Sequence, residues 1–119
     1  MRLRFFAEEA ELKKTIFKGV GTALITPFKE DFSVDYEAFK KLCVSQIDSG
    51  VNALIVGGTT GEGATLKAEE KQKLISIAVE VACGRAAVIA GTGANDTKKA
   101  VSATKDALNA GANAALVVT

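Results

Sequence analysis

Apolar residues gather in four short runs along this chain, at 20–25, 53–56, 86–90 and 114–118, and between the runs they recur every three or four positions. Short apolar runs bounded by glycine or proline suit buried strands, and the spacing between them suits helices that turn one face inward. The first run, Val20-Gly-Thr-Ala-Leu-Ile25, closes at Thr26-Pro27, where a strand gives way to a loop. Asp35 is placed to cap a helix whose inner face is Tyr36, Phe39, Cys43 and Ile47, and Gly50 suits the position just past its end. A second helix is expected over 67–83, with Leu74, Ala78 and Val81 inward and Gly84 as its stop. A third is expected over 96–110, with Ala100, Val101, Thr104, Ala107 and Leu108 inward and Gly111 ending it.

The four strands are uniformly apolar rather than alternating, the pattern of strands covered on both faces, and a helix intervenes each time, so the expected sheet is parallel with right-handed crossovers. One echo supports a repeated architecture: Gly50-Val-Asn-Ala53 and Gly111-Ala-Asn-Ala114 join a helix end to a strand in nearly the same residues. Periodicity does not distinguish a closed barrel from an open doubly wound sheet. Residues 1–16 read as an N-terminal arm, at most a weak amphipathic helix, and residues 17–119 as the βα units. Four parallel strands on their own leave two edges and one face uncovered, which invites self-association.

With 119 residues, 48% of them hydrophobic, the chain has the size and composition of one globular unit. Its net charge of +1 comes from interspersed acids and bases, which argues against nucleic acid or an anionic membrane as partners. Histidine is absent, which excludes imidazole bases and the commonest zinc constellations. Cys43 and Cys83 stand far apart in helical contexts and read as a pair of buried structural thiols in a reducing compartment. The first sixteen residues hold three glutamates and no continuous apolar stretch, so they resemble no secretory or transit leader, and a cytoplasmic location is expected.

Chemistry concentrates at Gly57-Gly-Thr-Thr-Gly-Glu-Gly63, after the second strand. Four glycines let the backbone approach a ligand, and two adjacent threonines bring hydroxyls beside exposed N–H groups: a small anion site, sized for a carboxylate or phosphate. The structural alternative is a tight turn whose glycines serve geometry alone. The loop lacks the lysine ending of a P-loop and the spacing of a dinucleotide fingerprint, which argues against nucleotides.

Three motifs in order, Thr26-Pro27-Phe28, GTTGEGATL at 58–66 and IAGTGAN at 89–95, resemble the N-terminal part of the dihydrodipicolinate synthase and N-acetylneuraminate lyase family. The resemblance spans residues 17–119 and implies the N-terminal portion of a (β/α)8 TIM barrel, about four strands and three helices. A complete barrel needs about 250 residues, so the resemblance also implies truncation. The implied activity is that of a class I aldolase-type lyase. Pyruvate forms a Schiff base with a lysine, and its enamine attacks aspartate semialdehyde on the route to lysine and diaminopimelate, with no metal or organic cofactor. A 2-keto-3-deoxy sugar acid or N-acetylneuraminate aldolase is the alternative, and a non-catalytic half-barrel a third reading.

By position, the resemblance gives Thr60 the pyruvate carboxylate, bound through hydroxyl and backbone N–H, with Gly61 in the same binding loop. Thr59 would relay protons between two tyrosines and also line the substrate site; a threonine rather than a serine there leans toward the synthase branch. Glu62 is expected to be structural, held by loop N–H groups. The family's Schiff-base lysine lies on the sixth strand, and every lysine here falls in a loop, the arm or a polar helix face, so this chain alone is expected to be inactive. The family's lysine-feedback subset is similar in frame but not in charge, since Gly63, Lys71 and Lys99 stand at its regulatory positions, and insensitivity to lysine is expected. By the same resemblance, full-length relatives are usually homotetramers, so a homo-oligomer is the implied assembly.

Overall fold

The computed structural model describes residues 2–5 and 15–118. Three parallel strand–helix units and a fourth parallel strand dominate it. Strand β1 (Arg2–Phe5) precedes β2 (Gly21–Ala23), α1 (Tyr36–Asp48), β3 (Ala53–Val56), α2 (Ala68–Ala82), β4 (Ala87–Gly91), α3 (Thr97–Asn109) and β5 (Ala114–Val117). The sheet runs β1-β5-β4-β3-β2, parallel from β2 to β5. The expected strands and helices form within two residues of their limits.

Local chemistry sets the boundaries. Asp35 Oδ1 accepts from Ala38 N–H at 3.0 Å, and Asp96 Oδ1 from Lys98 N–H at 2.8 Å, so both acids cap first turns whose donors have no helical partner. Glu70 Oε1 accepts from Lys67 N–H at 2.8 Å and closes the start of α2. Helix α2 ends on Cys83 in the left-handed region, φ 46°, with Gly84 following at φ 78°.

The repeated joint is a repeated structure. Asn52 Oδ1 accepts from Val20 N–H at 3.0 Å, and Asn113 Oδ1 accepts from Val88 N–H at 2.8 Å. Each asparagine also donates its own N–H to the carbonyl of that same residue, so each clamps the start of its own strand to the neighbouring one. Gly50 and Gly111, which precede the joints, take φ 93° and 97°.

All three helices pack on one face. Phe39, Cys43 and Ile47 of α1, Leu74, Ile75 and Ala78 of α2 and Ala107 of α3 share a core with Leu24, Leu54, Val56, Val88 and Ala90. The opposite face gathers Ala53, Ile55, Ile89, Ala114 and Leu116, with Phe17 laid against it. The second face meets no helix among the described residues, which matches the one uncovered face expected of four parallel strands. One-sided winding is the arrangement of a barrel, in which that face turns inward.

Other expectations change. Arg2–Phe5, expected in an arm, form a strand antiparallel to β5, with Arg2 opposite Val117 and Phe5 opposite Ala114, so that edge is covered. The rest of the expected arm, up to residue 14, lies outside the described residues. Of the two thiols only Cys43 is buried; Cys83 is exposed at the end of α2. Val101 and Leu108 are about half exposed, because α3 rests on the sheet through Ala107 and turns both larger residues outward.

Candidate active site

Backbone geometry builds the loop after β3 before any side chain contributes. Gly63 N–H donates to Gly58 O and Glu62 N–H to Thr59 O, both at 3.0 Å, which folds residues 58–63 into a compact turn. A Cβ on Gly63 would collide with the carbonyl of Gly57, and so would one on Gly91 at the end of β4. Glycine at these two positions lets the loop settle directly over the strand ends. From the end of β2, Thr26 Oγ1, itself buried, donates to Gly61 O at 2.6 Å and ties the turn to the first strand–loop junction. Thr26-Pro27 thus does more than end a strand.

Thr59 and Thr60 stand exposed at the crest of this turn, at the carboxyl end of a parallel strand, while Gly61 is buried beneath them. Among the described residues, the N–H groups of Thr59, Thr60 and Gly61 have no acceptor, and neither threonine hydroxyl has a partner. Two hydroxyls beside consecutive free peptide donors suit a small carboxylate. Glu62 is not held by loop N–H groups as expected: its side chain makes no hydrogen bond among the described residues. Its backbone turns instead, at φ 56°, and its carbonyl accepts from both N–H and Oγ1 of Thr65.

Beside the turn, a cleft of about 1120 Å³ opens between α2 and α3 over the ends of β3 and β4. Thr59, Glu62, Lys71 and Lys99 line it, and Thr60 and Gly61 follow Thr59 on the same turn at its edge. Lys71 corrects the reading of its helix face as merely polar. Its stem lies over Gly57, its ammonium donates to Gly91 O at 3.3 Å, and burial pushes it below the ordinary lysine range. Two glycines without side chains make the room it occupies, a signal present in the sequence only as their identity.

With this geometry in view, the chain matches the Dihydrodipicolinate synthetase family over residues 16–119. The chain belongs to that family. It is 49% identical over 104 residues to the 4-hydroxy-tetrahydrodipicolinate synthase of Fervidobacterium nodosum, covering 87% of this chain and 35% of that protein. It is 52% identical over 104 residues to the synthase of Pelagibacter ubique, with the same coverage. Among solved structures, the dihydrodipicolinate synthase of Aquifex aeolicus superposes with a TM-score of 0.80 at 52% identity, covering 85% of this chain and 34% of that one. A chloride-inhibited synthase from Acinetobacter baumannii, complexed with pyruvate, gives a TM-score of 0.84 at 44% identity, covering 88% of this chain and 36% of that one. The chain therefore spans about a third of the length of the dihydrodipicolinate synthetase family members it matches. Its four parallel strands and three helices are the first βα units of that family's (β/α)8 barrel.

Proposed function

We propose that this chain carries the keto-acid carboxylate site of a pyruvate-dependent lyase of the 4-hydroxy-tetrahydrodipicolinate synthase type. The carrying observation is the pair Thr59 and Thr60 at the tip of a parallel strand, with hydroxyls and peptide donors that have no partner among the described residues. In this reading Thr60 holds the carboxylate of pyruvate through its hydroxyl and N–H, and Gly61 gives that carboxylate room against the backbone. Thr59, on the cleft side, passes a proton as donor and acceptor at once.

The covalent step needs an amine nucleophile that forms a Schiff base with the pyruvate carbonyl, releasing water, before the enamine carbon bonds to aspartate semialdehyde. The family resemblance puts that lysine on a sixth strand, which these 119 residues do not include, so binding without turnover is the proposed property of the chain itself. The family relation also supports a homo-oligomeric, cytoplasmic enzyme for the complete protein. Lys71 and Lys99, both lining the cleft, oppose a lysine ammonium there by charge.

Titrating pyruvate into the isotopically labelled chain tests the binding step. Amide shifts confined to residues 58–63, weakened about tenfold or more by Thr60→Val for loss of a charge-assisted hydrogen bond, are expected. Shifts absent from that turn at millimolar pyruvate would refute the reading.

A further inference from the structure

The turn that carries Thr59 and Thr60 leaves its strand at Gly57, just past the last rung of the β3–β4 ladder, where Val56 stands opposite Ala90. From there to Gly63 its hydrogen bonds close on the turn itself, apart from the one that Thr26 gives to Gly61 O. Among the described residues, none of them ties the turn to β4. The contact between the two is backbone against backbone: a Cβ on Gly91 would collide with the carbonyl of Gly57. Gly57 itself takes φ 67°, a conformation that glycine adopts and leaves at little steric cost. Two glycines in contact give the turn room over β4, but neither has a side chain to fix it there.

Lys71, near the start of α2, reaches both. Its stem lies over Gly57 and its ammonium donates to Gly91 O at 3.3 Å, so one side chain joins a helix, the root of the turn and the end of β4. Packing does not require a cation at this position. The side chain is half-buried, and burial alone lowers its pKa, with no carboxylate to offset the cost. An unbranched apolar side chain would cover Gly57 without that cost.

We infer that Lys71 is a positioning residue for the turn: its ammonium holds Gly57 and Gly91 together and keeps the Thr59 and Thr60 donors in one arrangement. Its link to ligand binding rests on the carboxylate reading of that turn.

Lys71→Met, which keeps an unbranched stem and removes the ammonium, separates the brace from general packing. In the ligand-free variant the Glu62 and Gly63 amides, whose hydrogen bonds close the turn, should exchange about tenfold faster or more, while Phe39 and Cys43 in α1 keep their rates. Pyruvate binding at the turn should weaken about fivefold or more. In carbon-detected spectra of the original chain, the Gly91 carbonyl should titrate together with Lys71 Cε, below the ordinary lysine range. Glu62 of the turn and Asp96, Lys99 and Asp106 of α3 share the cleft and remain in the variant, so the step lost from Gly91 there is that of Lys71. Unchanged exchange at Glu62 and Gly63, or a loss shared equally by Phe39 and Cys43, would overturn the brace. Should the variant not fold, the original chain decides, since a Gly91 carbonyl that does not follow Lys71 would also overturn it. A loosened turn with unaltered pyruvate affinity would overturn the link to binding. A loosened turn in chains that bind no pyruvate, original and variant alike, would uphold the brace and remove the carboxylate reading.

Discussion

At the scale of single residues, one buried hydroxyl and two exposed asparagine amides hold the turn and joints that sequence motifs only outline. Thr26 carries the first. Its hydroxyl reaches Gly61 O across 35 positions of sequence in a buried setting, so Thr26→Val leaves that carbonyl without its partner. A loss of about 1–3 kcal/mol in denaturant unfolding is expected, with Thr26→Ser close to the original chain. Equal losses from both variants would show that the methyl group, not the hydroxyl, matters. The two joint asparagines differ in what they leave behind. Asn113→Ala strips a partner from the N–H of buried Val88 and should cost about 1–3 kcal/mol, whereas Asn52→Ala exposes the N–H of Val20 to water and should cost well under that. Urea midpoints in the reverse order would contradict the account.

At the scale of elements, the helices show where periodicity suffices and where it fails. Helix α1 buries Phe39, Cys43 and Ile47, three of the four positions its spacing marked. Helix α3 buries Ala107 alone, because small residues let it approach the strands closely while its two larger apolar residues sit to either side of the contact. Helix contacts also separate the two thiols. Burial within α1 pushes the Cys43 thiol up to about 11. An unfolded chain would ionise that group near 8.5, so its contribution to stability is complete below that pH and declines as pH rises toward about 11. Iodoacetamide at pH 8 should therefore label Cys83 rapidly and Cys43 only on unfolding, read by peptide mass; equal rates would place Cys43 at the surface.

At the scale of the whole molecule, the four parallel strands turn one face away from every helix among the described residues, while the turn after β3 is closed by its own backbone hydrogen bonds. On the proposed reading the turn recognises the keto acid while the family resemblance puts the Schiff-base lysine on a sixth strand, so recognition without covalent capture is expected of these 119 residues. Borohydride reduction with pyruvate should leave the mass of the chain unchanged. Lys71 makes this a demanding test, because it is a half-buried amine in the same cleft as Thr59. A stable pyruvate adduct there would overturn the expectation of an inert chain. In the described residues no helix is long and apolar enough to cross a membrane.

Sequence by itself determined the four apolar strands, the three helices, the Asp35 cap, the repeated joints and the position of Thr59 and Thr60 at a strand tip. Each of these follows from interactions within a few residues: helical spacing, a side chain capping its own turn, glycine at a positive φ. Tertiary structure alone decided that all the helices share one face, that Thr26 and Lys71 reach the loops at the strand ends, and that Arg2–Phe5 lie along β5. Those outcomes depend on pairings between residues far apart in the chain, where burial and hydrogen-bond geometry are set by the packed neighbours and not by the local order of residues.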